Sequence, residues 1–136
     1  MNDTLRNILA VVAGVLIGGV VNMGIVKFGA SIIPNPEGYD FSTLETMKEN
    51  FHLLHPKNFI VPLLAHALGT LAGAFVITKI AVSHHLKLAL FLGAFFLIGG
   101  ITMVVRLPST PIWFAALDLL GAYLPMAWLG HKLGRG

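Results

Sequence analysis

The sequence predicts an all-α integral membrane protein, a four-transmembrane-helix bundle running up-down-up-down. One short amphipathic interfacial helix lies between the first two spans. Three observations predict it. The 136 residues are 56% apolar and only 11% charged, against roughly 25% charged in an average soluble domain. The apolar residues gather in four blocks, each near the roughly 20 residues that cross a bilayer as a helix. Little chain is left between the blocks, so residues 1–136 read as a single membrane domain.

The first span is expected over about 8–30. It is longer than the roughly 7–15 apolar residues of a signal peptide, and Asn22 and Lys27 interrupt its end, so it reads as a retained span. Two prolines and a glycine in PNPEGYDF, residues 34–41, then end it and turn the chain. Ser42 with Glu45 three residues on has the pattern of a capping box, and Pro56 is a stop. Between them Leu44, Met47, Phe51 and Leu54 share one face, and Glu45, Glu49 and His52 the other. A helix over about 42–55 is expected, lying at the interface or folded over the mouth of the bundle. The remaining spans are expected over about 58–82, 86–105 and 111–130.

Composition also excludes function classes. The chain has no cysteine, which removes disulfides, thiolate metal sites and thiol redox catalysis. Its formal net charge is +3, but the nine lysines and arginines are scattered at helix ends. That is the pattern of topology anchors, so no nucleic acid is expected as a partner. With the N terminus inside, Arg6, Lys79, Lys87, Lys132 and Arg135 face the cytoplasm, and Lys27, Lys48, Lys57 and Arg106 the other side. This bias favours both termini inside at the cell (cytoplasmic) membrane. Trp113 and Trp128 suit the two interfacial aromatic belts.

Small residues recur at four-residue spacing. Ala10, Gly14 and Gly18 do so in the first span, and Ala65, Gly69 and Gly73 in the second. Gly93 and Gly100 mark the third span, and Gly121 the fourth, on the side of Ala115, Asp118, Ala122 and Pro125. In lipid, small residues join helices by letting backbones approach, so these positions read as helix-packing sites.

Few residues inside the spans are strongly polar. Asn22, His66 and Asp118 each fall about eight residues in from the outer end of a different span, roughly 12 Å deep. Thr70 shares the face of His66. Charge facing lipid is costly, so a buried Asp118–His66 hydrogen bond is expected, with Asn22 as a third partner. Such a cluster either fixes helix packing or forms a proton or ligand site, since a His–Asp pair can exchange a proton near neutral pH.

Glu49, His52 and His55 have the spacing of a surface metal site, but two imidazoles do not close a coordination shell and a solvated polar face is the favoured reading. No cofactor is expected. Nor is there a G-x-S-x-G nucleophile, a phosphate-binding glycine loop or H-E-x-x-H. The leading expectation is a non-enzymatic membrane protein acting through helix–helix association, as an accessory subunit of a larger membrane complex or as a homo-oligomer. The alternative is a small proton-coupled transporter or channel using Asp118 and His66. An enzyme acting on a lipid-soluble substrate ranks third.

Overall fold

A computed structural model describes residues 2–136, all-helical, with no strand among the described residues. The helices are α1 (Asp3–Ile32), α2 (Leu44–Asn50), α3 (Ile60–Ile80), α4 (His85–Arg106), α5 (Ile112–Gly121) and α6 (Leu124–Arg135). Short 3₁₀ turns at Phe51–Leu53 and Pro56–Phe59 join α2 to α3. Four stretches are long and apolar enough to cross a membrane: Asp3–Ile32, Pro56–Ile80, His85–Arg106 and Ile112–Arg135. The shortest has 22 residues, about 33 Å of helix against a hydrocarbon core of about 30 Å.

Glycine pairs set the packing. A Cβ on Gly14 would fall 2.8 Å from the Gly73 carbonyl oxygen, and one on Gly73 would fall 2.7 Å from that of Gly14. Gly18 and Gly69 face each other in the same way, at 2.8 and 2.9 Å. The rising number on α1 meets the falling number on α3, so the two helices are antiparallel. On α4, Gly93 lies against Ala127 and Gly100 against the Tyr123 ring. Gly130 and Gly134 seat α6 on Leu71, Ala74, Phe75 and Thr78 of α3. This second seam was not among the expected packing sites, although Gly130 and Gly134 are themselves four apart. The buried centre is correspondingly small-residued: Ala10, Ala74, Ala89 and Ala127 are wholly buried beside Ile77 and Leu92.

Gly121 is a correction. A Cβ there would meet nothing within 4 Å. It is the last residue of α5, at a break in the fourth span. Pro125 explains the break: without an N–H it leaves the Gly121 carbonyl unpaired, and its ring crowds that carbonyl. A continuous helix over 111–130 is therefore replaced by two, and the second continues to Arg135.

The first-loop helix also differs from expectation. Asp40 Oδ1 accepts from the Ser42 amide at 2.9 Å, which removes Ser42 from capping. The cap is Thr43: its Oγ1 accepts from the Thr46 amide at 3.2 Å, and its own amide donates to Thr46 Oγ1 at 3.1 Å. The helix is two turns and a 3₁₀ turn instead of three full turns. Its amphipathic division stands: Leu44, Met47, Phe51 and Leu54 are partly buried, while Glu45, Glu49 and His52 are exposed. Phe51 meets Phe59 edge-on at 5.3 Å between ring centroids, and Phe59 packs on Phe114 at 4.8 Å. These rings tie the loop to α5.

At the opposite end, α1 closes the α3–α4 connection. Arg6 Nε donates to the Ile80 carbonyl at 2.8 Å, satisfying a helix C-terminus. The Asn7 side chain donates to Ser83 Oγ and accepts from the Val82 amide.

Candidate functional site

His66 and Asp118 meet. His66 Nδ1 lies 2.8 Å from Asp118 Oδ1, joining α3 to α5. Asp118 is 2% exposed. The imidazole is more open, with 30% of its side chain accessible. With Asp118 ionised, the Nδ1–H donates to the carboxylate and Nε2 remains as an acceptor. When the ring is protonated, Nε2 becomes a donor instead.

Tyr123 completes this centre, and the sequence reading did not include it. Its ring stacks on His66 at 5.6 Å between centroids with 25° between planes. Its hydroxyl donates to Asp118 Oδ2 over a long 3.4 Å. The α5–α6 break makes this contact, because Tyr123 sits in the non-helical junction and turns back over α3. A tyrosine inside an apolar span, five residues from the only aspartate there and two before a proline, was the available signal.

Asn22 is brought to the same place but does not pair. Its Cβ lies on Gly69, one turn along α3 from His66. Its Oδ1 is buried and has no hydrogen-bond partner. The expected third member of the hydrogen-bonded cluster is thus an orphan acceptor, which native proteins rarely leave unmatched. Thr70 is also a correction. Its hydroxyl donates back to the His66 carbonyl at 2.7 Å, and the side chain is wholly buried away from the cavity described below.

These side chains open on a cavity of about 640 Å³. That lies within the roughly 300–1,000 Å³ of small-molecule sites. Asn22, His66, Thr110, Asp118 and Tyr123 are its polar side chains; its other walls are largely apolar, including Phe95, Phe96, Met103 and Phe114. Met47 and Phe51 of the first loop cover one end.

The Glu49, His52 and His55 spacing does not form a metal site; no group of three metal-ligating side chains occurs among the described residues. Helical spacing fails because the helix ends first. His55 lies beyond the 3₁₀ turn, and its amide donates to Asn58 Oδ1 at 2.9 Å. No protein-family model, no curated protein and no solved structure matches this chain.

Proposed function

We propose that the chain is a four-span integral membrane protein that binds a small ligand at a proton-exchanging His66–Asp118 pair, as a small proton-coupled transporter or channel would. It threads the cell membrane up-down-up-down with both termini on the cytoplasmic side. The observation that carries the functional reading is the pair's setting. It opens on a cavity of about 640 Å³, and beside it stands the unpartnered Asn22 Oδ1.

A purely packing role calls for the reverse, a dry bundle with every polar group paired. The glycines read as helix-packing sites meet within this chain: Gly14 and Gly18 against Gly73 and Gly69. The topology is supported by the clustering at one end of Arg6, bonded to Ile80, and of Lys132, 4.9 Å over the Trp128 ring. Snorkelling lysines and interfacial tryptophans favour such a boundary.

The test is solid-state 15N NMR of the His66 ring in lipid bilayers from pH 5 to 8, the range where histidines exchange protons. A ring whose protonation follows bulk pH, and whose response changes in Asp118→Asn, supports the reading. A ring fixed in one state until the protein unfolds overturns it and leaves a packing role.

A further inference from the structure

The cavity has two boundaries of different kinds. Toward the first loop it is covered by Met47 and Phe51, held by the Phe51–Phe59–Phe114 ring contacts. Between α1 and α4 the Phe96 ring packs on Gly18, and beyond it the walls are thin. Gly19 of α1 and Phe95, Ile98 and Gly99 of α4 line it there. Phe95 is 53% and Ile98 65% exposed on the outer surface. A Cβ on Gly19 or Gly99 would meet nothing within 4 Å. These four residues carry no polar side-chain atom, and they lie within membrane-length helices. On the four-span reading this part of the lining faces the hydrocarbon core of the bilayer.

Inside, the buried side-chain atom left without a partner among the described residues is an acceptor, Asn22 Oδ1. His66 Nδ1 is taken by Asp118, so the neutral ring presents Nε2 as a second acceptor. Each Asp118 oxygen already has a partner within the protein, His66 at Oδ1 and Tyr123 at Oδ2. A fitting ligand brings a hydroxyl donor on an otherwise apolar body.

From this we propose that the cavity takes a neutral, membrane-dissolved amphiphile with a hydroxyl head, of the alkylphenol class. It enters sideways from the bilayer through the gap between Gly19 and Gly99. Its hydroxyl donates to Asn22 Oδ1 or His66 Nε2 while its apolar body lies among the phenylalanines. The inference rests on the cavity being a ligand site, and it adds both the ligand chemistry and the route.

The experiment uses the full chain in lipid bilayers with 4-hexylphenol and its methyl ether, 4-hexylanisole, which lacks the donor. The readouts are the Asn22 amide and His66 ring resonances. 4-Hexylphenol should move both signals saturably, at a membrane mole fraction at least about tenfold below that of the ether, the size of one lost hydrogen bond. Asn22→Val should shrink that difference. Gly99→Trp and Gly19→Trp, whose new side chains meet open space, should preserve helicity and slow or abolish the response. Equal response to the ether overturns the donor requirement. An unchanged response in both tryptophan variants overturns the lateral route. No response to 4-hexylphenol, with His66 still following bulk pH, overturns the ligand class and leaves the proton-exchanging site standing.

Discussion

The Tyr123 ring stacks on the His66 imidazole, 5.6 Å between centroids, while its hydroxyl reaches the carboxylate that holds that imidazole. One side chain from the break in the fourth span thus touches both members of the buried pair. The two contacts are separable. Tyr123→Phe keeps the ring and loses only a long hydrogen bond, and should cost at most about 1.5 kcal/mol. Tyr123→Ala removes a ring that is 3% exposed and should cost about 3–5 kcal/mol through the void it leaves. Unfolding equilibria in mixed micelles measure both.

Pro125→Ala restores the N–H that the Gly121 carbonyl lacks. The fourth span should then straighten, carrying Tyr123 off the imidazole. Loss of the ring-current shift on the His66 protons, with helix content equal or higher, is the expected result. An unchanged shift would show that packing, and not the proline, sets the break.

Gly73→Val places a branched side chain where a Cβ already meets the Gly14 carbonyl at 2.7 Å. Backbone cannot yield as a side chain does, so the α1–α3 seam should open at a cost of about 1–3 kcal/mol or more. Gly19→Ala, on α1 across the seam, meets open space and should be neutral or stabilising by up to about 1 kcal/mol. Thermal unfolding of the pair separates seam glycines from incidental ones.

The first loop should loosen in acid. Hydrogen bonds from the Ser42 hydroxyl and amide to the exposed Asp40 carboxylate hold its pKa below the ordinary 3.8. A carboxyl depressed in the folded state stabilises above its unfolded pKa, and that contribution fades as pH falls through the lower folded value. After correction for intrinsic rates, the Ser42 amide should exchange faster at pH 2.5 than at pH 5. Asp40→Asn should flatten the difference.

Much of this architecture is legible from spacing alone. Ala10, Gly14 and Gly18 against Gly69 and Gly73 could be read because small residues four apart leave a groove that only another backbone fills. The His66–Asp118 meeting followed from the cost of an unpaired carboxylate in lipid. What escaped was direction. Asn22 reaches the right cavity, but whether its amide faces the pair depends on helix rotation, which periodicity leaves open by tens of degrees. By spacing Pro125 is a residue on a face, but its missing donor is the stronger fact. The capping box shifted by one residue because Asp40 competes for Ser42, a contest between neighbours that motif spacing does not rank.

The fourth span has a consequence for assembly. Its halves have 10 and 12 residues, about 15 and 18 Å of helix. Neither alone crosses a hydrocarbon core of about 30 Å. Each would leave unpaired backbone ends in lipid, where such groups cost several kcal/mol. The α6 half has its slot on α3, where Gly130 and Gly134 seat it. On the proposed four-span reading, α1 and α3 would be the template on which the fourth crossing is completed by docking. Substitutions that fill the Gly130 slot should leave a chain that enters the membrane and then stalls, exposed to quality-control proteases.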